Sequence, residues 1–348
     1  RDDILLMRDL PSLEHLARLQ KAGFHLPEFM REDELDKRKL GGMRPWAWSP
    51  VVSKSWKRYA NQVSAKVAWQ WREPVPAQWL SKQIGVNLLK RSHEEAPVIA
   101  KEFEAVRTEV GAIHAHGPAL LQGLYSCAGR SQFKVEIGEW GAAEDWVRAN
   151  LQRHGGLVVE AWRERVADFS MLYEITPDGV EWMGATVMEN DARGGYLGSK
   201  VASKWTSLLE NEVTTWLHCE ARIQDWIETR WPTALKELLD GYIGPVGIDC
   251  MVYREPDGRL NWLPVVELNV RMTMGRVALE LMRKSRPGSK GRLRLLRKSS
   301  VTESEVEELQ SGTLQGGSVL LNDPSLAKEF LVVWKVNGLH AQSDPPKA

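Results

Sequence analysis

Apolar residues follow two periods along this chain, and the switches between them mark its elements. ILLMRDL (4–10) reads as a short strand. A helix then starts at Ser12, with Leu13, Leu16, Ala17 and Leu19 on one face and Gly23 as its stop. Residues 31–39 are densely charged and predict a surface helix or loop, and RPWAWSP (44–50) predicts a rigid loop. Residues 81–110 read as mostly helical. From Ala119 the period falls to two, so ALLQGLYS and QFKVEIGE become strands joined by the loop Cys127–Ser131. A helix over 142–153 carries Trp146, Val147 and Leu151 and ends at Gly155. LVVEAW (157–162) is an apolar strand, and 168–188 reads as strand, turn and strand about Pro177-Asp178-Gly179. Apolar residues at steps of three and four, among them Trp205, Leu209, Val213 and Trp216, make 200–239 helical. Residues 246–270 form a hairpin about Pro256-Asp257-Gly258, and further strands are expected near 318–321 and 330–335.

Strands followed by helices in this order place the chain in the α/β class, with α+β lobes. Its 348 residues suffice for two or three lobes. Lys plus Arg (46) equals Asp plus Glu (46), so no overall field draws the protein to nucleic acid or to an anionic membrane. A local pocket for a small anion stays open to it. No apolar run approaches a membrane span, and residues 1–4 do not look like the start of a signal peptide. Three widely spaced cysteines without a CxxC pair suit a reduced, cytoplasmic compartment. The sixteen tryptophans are expected to fill cores and domain seams.

The hairpin at 246–270 carries the chemistry. Asp249 lies in its first strand, and Glu267 and Asn269 lie two apart in the second, hence on one face. Two carboxylates and an amide oxygen on rigid strands suit a hard cation that leaves room for phosphate oxygens. Paired individually with buried arginines, the same acids would be merely structural. No GxSxG, HExxH or GxxxxGK[ST] occurs, which removes the common hydrolase, zinc-protease and P-loop readings.

The pattern GxxGIDxMxY at 244–253, followed by VxELNxRxTMG at 265–275, resembles the ATP-grasp superfamily. The resemblance covers about residues 76–280. It implies ATP and Mg²⁺ as cofactors, with Asp249, Glu267 and Asn269 as metal ligands and Arg271 as a catalytic cation. In the same order along the chain, Glu160, Ala161 and Trp162 match the hinge that binds adenine. Asp168 matches the acid that binds the ribose hydroxyls. SCAGRS (126–131) resembles the small-residue loop over the phosphates, which brings in Ser126, Gly129 and Arg130, and Lys82 matches an earlier phosphate-contacting lysine. Gln122 stands where the family usually has a second lysine, with Lys134 or Arg130 as candidate substitutes.

The implied organisation is a small N-terminal α/β domain (1–75), an ATP-grasp small lobe (76–162), a large lobe with the metal site (163–280) and a C-terminal elaboration (281–348). Linkers are suggested near 287–291 and 316–317. The implied activity is that of an ADP-forming ligase, which activates a small-molecule carboxylate as an acyl phosphate and joins it to an amine or other nucleophile. A small-molecule kinase, or a nucleotide-binding protein without turnover, would keep the same motifs, and a homodimer is left open. Arg193, in the Gly-rich NDARGGYLG (190–198), is a candidate for holding an acyl phosphate or carboxylate. The cationic run 283–298 is expected to be a solvated face, balanced by the acids after it. His114 and His116 would share a strand face, without a third ligand to make a metal site.

Overall fold

The computed structural model describes residues 3–64, 74–91, 96–126, 131–191 and 194–337. It opens on a βαβ unit in which β1 (Ile4–Leu6) runs parallel to β2 (Glu28–Met30) with α1 (Leu13–Lys21) between them. Ser12 caps α1, its Oγ accepting from the His15 N–H at 3.2 Å. Gly23 then turns the chain at φ +97°, in the region that favours glycine. The charged segment is a 3₁₀ turn (Glu32–Lys37), and Pro50 begins α2 (Pro50–Trp56) directly after the tryptophan-rich loop.

The small lobe is built from α3 (Gln83–Lys90), β3 (Val98–Ala100), α4 (Phe103–Ile113), β4 (Ala119–Gly123), β5 (Gln132–Val135), α5 (Trp140–His154) and β6 (Leu157–Ala161). The stretch 81–110, expected to be mostly helical, holds α3 and most of α4 with the strand β3 between them. Pro97 cannot continue a helix, and the β-branched Val98 and Ile99 pair with β6 instead. His114 and His116 correspondingly follow the end of α4 rather than sharing a strand face. The sheet order is β3-β6-β4-β5. Val106, Val110, Ala143 and Val147 of the helices pack against Leu121, Leu157 and Val159. The two-residue period leaves Leu120, Gln122 and Glu160 on the opposite face.

The large lobe is one eight-stranded antiparallel sheet. In chain order its strands are β7 (Glu164–Thr176), β8 (Gly179–Asn190), β9 (Tyr196–Ala202), β10 (Gly244–Arg254), β11 (Leu260–Asn269), β12 (Lys290–Arg297), β13 (Gly317–Leu320) and β14 (Phe330–Asn337). In space they run β11-β10-β7-β8-β9-β12-β14-β13. Between β9 and β10, α6 (Asn211–Cys219), α7 (Ile223–Asp225), a π turn (Trp226–Arg230) and α8 (Trp231–Leu238) follow one another. Trp205, Trp226 and Trp231 share one core with Phe169 and Tyr173 of β7. The helical region is thus shorter than its apolar pattern suggests, because residues 200–202 belong to β9. α9 (Met274–Lys284) lies on the other face, against Leu172, Leu293 and Trp334, and α10 (Glu303–Leu309) follows β12.

The cationic run is largely a solvated face, with Arg283, Lys284, Arg286, Lys290, Arg294 and Arg297 exposed. Its second half is not a loop but β12, an interior strand with Gly291 and Leu293 buried. Arg292 forks onto Glu189 of β8 at 2.6 and 2.8 Å, and Arg283 pairs with Glu280, so these two cations are matched by acids other than those that follow the run. Residues 287–291 consequently lead from α9 back into the same sheet instead of linking separate bodies. No helix of the described residues is long and apolar enough to cross a membrane.

Candidate active site

β10 and β11 pair so that Asp249 stands directly opposite Glu267, with Asn269 two residues further on the same face. Asn269 Nδ2 donates to Asp249 Oδ2 at 3.0 Å. On its other side Asp249 faces Ser170 of β7. A bulge after Asp249, in which β11 runs through Pro264, adds residues to β11 without changing which face Glu267 occupies. Burial pushes the Asp249 carboxyl up to about 6, and the Glu267 charge adds to the rise; Ser170, Arg271 and Asn269 draw it back. Two opposed, half-buried carboxylates beside an amide are a donor set that a hard cation fits, since it would relieve their mutual repulsion.

The small lobe meets this hairpin through α3. A Cβ on Gly85 would lie 3.0 Å from the Leu268 backbone nitrogen, so only glycine lets the helix approach β11 this closely. That approach sets Lys82, at the start of α3, on the metal-type residues: its Nζ is 2.9 Å from Glu267 Oε2. The Lys82 N–H is fixed in turn by Leu124 O at 2.8 Å.

Glu160, Ala161 and Trp162 line the same cleft. The Trp162 N–H bonds Pro118 O at 2.8 Å, which holds the strand end in place. Gln122 Nε2 donates to Glu160 Oε1. Burial raises the Glu160 carboxyl, and the Gln122 bond and the Lys82 charge oppose the rise. Lys134 does not stand in for the lysine missing at position 122. Its ammonium lies 4.9 Å from the centre of the Trp162 ring and 2.6 Å from Glu136, and it does not line the cleft. Asp168 lines it, but its Oδ2 already accepts from Arg165 Nη1 at 3.1 Å and Asn190 Nδ2 at 2.9 Å. Asp168 is thus held in an ion pair with Arg165 inside the cleft.

Between the lobes these residues enclose a cleft of ≈ 540 Å³. Lys82, Gln122, Glu160, Ala161, Trp162, Asp168, Asp249, Glu267, Asn269 and Arg271 all line it. Arg271 donates from Nη1 to Met272 O at 3.1 Å and makes no ion pair among the described residues. Ser126 is not brought in: its Oγ bonds back to Gly123 O at 2.8 Å. Gly129, Arg130 and Arg193 lie outside the described residues. The cleft also gathers residues that the motifs do not mark. Arg163 and Arg165 follow Trp162, Ser170 and Thr186 continue the row of Asp249 across the sheet, and Trp46 enters from the N-terminal loop. Only the two prolines around Trp46 and Trp48 hinted at a fixed loop there.

Comparison with known proteins bears on this architecture. No protein-family model matches the sequence, and no curated protein matches it. Solved structures do. The ADP complex of an N5-carboxyaminoimidazole ribonucleotide synthetase superposes with a TM-score of 0.55 at 9% identity, covering 82% of this chain and 73% of that one. The Staphylococcus aureus N5-carboxyaminoimidazole synthetase, complexed with ADP, gives 0.53 at 10% identity over 89% and 82%. The biotin carboxylase domain of the Hydrogenobacter thermophilus 2-oxoglutarate carboxylase, bound to MgADP and bicarbonate, gives 0.52 at 14% identity over 78% and 64%. The chain has the ATP-grasp fold. In ATP-grasp terms, the four-stranded sheet is the small lobe, the eight-stranded sheet the large lobe, and the cleft the space between them. At these identities the likeness is one of fold, and the chemistry rests on the side chains of this chain.

Proposed function

We propose that this ATP-grasp protein is an ATP- and Mg²⁺-dependent, ADP-forming ligase that activates a small-molecule carboxylate and joins it to an amine or other nucleophile. One observation carries the reading: Glu160–Trp162, Asp168, the opposed carboxylates Asp249 and Glu267, and Arg271 all line one cleft. ATP would lie with its base along Glu160–Trp162 and its ribose at Asp168. Asp249, Glu267 and Asn269 would hold Mg²⁺, which when bound supplies positive charge against the phosphate oxygens.

The work left to the chain is positioning and charge. Lys82 reaches the same point from the small lobe, and Arg271 is the cation best placed to offset charge on the transferred group. A carboxylate oxygen of the substrate attacks the γ-phosphorus, the bond to the ADP oxygen breaks, and ADP leaves with the electron pair. The nucleophile then displaces phosphate from the acyl carbon. Arg130 and Arg193 are the further cations proposed to hold the acid, and Ser126 and Gly129 belong to the loop proposed to cover the phosphates. The limits 1–75, 76–162, 163–280 and 281–348 are kept as segments of the chain, the last adding β12–β14 to the large-lobe sheet, and a cytoplasmic location completes the reading.

The experiment is ¹⁸O transfer. With an ¹⁸O-labelled carboxylate, one labelled oxygen should appear in the released phosphate. ADP release with a stable phosphate ester and no free phosphate would mean a kinase. Nucleotide binding without turnover would favour a protein that has lost catalysis, the outcome that Gln122, held by Glu160, gives most reason to test.

A further inference from the structure

Trp46, Thr186 and the first turn of α9 line the cleft beside Arg271, and the proposed nucleotide site gives this compartment no role. We infer that this compartment selects the carboxylate substrate, and that the substrate is an acid bearing a flat aromatic group, with the ring against Trp46 and the carboxylate at the start of α9. The inference rests on the ligase reading for its chemistry, but its binding can be measured without turnover.

Trp46 is the first observation. Large tryptophans of this chain mostly go into cores, yet Trp46 is 48% exposed and lines the cleft. It is also held. The Met272 N–H bonds Trp46 O at 2.9 Å, and Trp48, two residues on, is buried in the main core. A fixed aromatic face beside Arg271 provides apolar contact area at little cost in ordering, and a flat ring is the group that such a face complements.

The carboxylate end is a second, independent observation. Thr273 caps α9 with its side chain, accepting from the Arg276 N–H at 3.2 Å, and no acid lies in the first turn. The N–H groups of Met274 and Gly275 point out of the helix with the positive end of its dipole. Beside them stands the Thr186 hydroxyl, 0% exposed and without a hydrogen-bond partner among the described residues. A buried hydroxyl of this kind is costly unless something completes it. A Cβ on Gly275 would lie 2.9 Å from Thr186 Oγ1, so glycine is what lets the start of α9 approach this hydroxyl so closely. Helix N–H groups, a donor hydroxyl and the Arg271 guanidinium together suit one carboxylate.

The test uses the full chain and a panel of carboxylates: acetate and propionate against benzoate, phenylacetate and indole-3-acetate. Binding is followed by calorimetry without nucleotide, and turnover by ADP release. The aryl acids should bind about tenfold or more tighter than the aliphatic ones, the scale of a well-filled apolar contact. Trp46→Ala should remove that preference and Trp46→Phe should retain most of it, both with KM for ATP unchanged. Thr186→Val and Gly275→Ala should weaken every acid alike, with melting temperature as the check on folding. Equal binding of aryl and aliphatic acids, or a preference that survives Trp46→Ala, would overturn the inference. Aryl acids that bind in a Trp46-dependent way without ¹⁸O transfer would leave this compartment standing and remove the ligase reading. Transfer seen only with small aliphatic acids would do the reverse.

Discussion

Lys82 Nζ lies 2.9 Å from Glu267 Oε2, bridging the first turn of a small-lobe helix and the second strand of the metal-type hairpin. The lysine that should meet phosphate thus rests on a residue that should meet metal. Replacing Lys82 by Met should leave Glu267 without its cation. A hydrogen bond to a charged group is worth about 1.5–3 kcal/mol, so the nucleotide-free protein should melt several degrees lower. An unchanged melting temperature would mean that the contact does not hold the lobes together.

Glu267→Gln separates the metal role from that structural one. The amide keeps the shape of the side chain but loses the charge that a cation needs. Magnesium-dependent nucleotide turnover should disappear while the circular dichroism spectrum stays that of the wild type. Retained turnover would remove Glu267 from the metal site.

At the ribose end, Asp168 shares its Oδ2 with Arg165 and Asn190. Asp168→Ala should weaken ATP binding about ten- to a hundredfold, the scale of one lost charge-assisted hydrogen bond. Arg165→Ala frees the carboxylate without removing it and should weaken ATP less. Equal affinities for wild type and Asp168→Ala, measured by calorimetry, would reduce Asp168 to an ion-pair partner.

Among the described residues the Arg271 guanidinium hydrogen-bonds only the Met272 carbonyl, so it can serve a developing charge. Arg271→Ala should slow turnover by about 10²–10³, the usual cost of removing one such donor, and leave ATP affinity nearly intact. A variant that loses ATP binding in proportion to rate would place Arg271 on the ground-state nucleotide instead.

Acid stability should depend on Asp323. Its Oδ2 accepts the Ser12 N–H at 2.7 Å, and its Oδ1 accepts from Ser325 N at 2.9 Å and Ser325 Oγ at 2.6 Å. Burial alone would raise this carboxyl, but the bonds from Ser325 and Ser12 hold it well below its ordinary range. A depressed carboxyl contributes stability that is complete above the unfolded value of about 4 and is lost as pH falls below it. Asp323→Asn should therefore cost stability at pH 7 and flatten the loss between about pH 4 and pH 2. Parallel pH profiles of wild type and variant would refute this.

The parts of the site that were legible in the sequence are those fixed by local rules. The spacing of Glu267 and Asn269 puts both on one strand face whatever surrounds them, and a Pro-Asp-Gly turn brings Asp249 opposite. What escaped depends on distant partners. Thr186 acquires its place from strands and a helix far along the chain, and nothing in its neighbours marks it. Trp46 was submerged in a general expectation that tryptophans are core. β12 was hidden by its own composition, since an interior strand with cations on its outward positions reads as a solvated run until Glu189 is seen beside it.

The contact between Ser12 and Asp323 also bears on the order in which the molecule comes together. Leu19 and Ala22 of the first helix region share a small core with Val319, and Leu314 N–H bonds Ala22 O at 2.9 Å. Residues 12–24 leave the ribosome some three hundred residues before the surfaces that cover them. Loop closure over that distance is slow, and an uncovered apolar helix is a target for chaperones during the wait. Synthesis should thus pass through a long-lived species with α1 undocked, which becomes protease-resistant only once β13 and Asp323 are made.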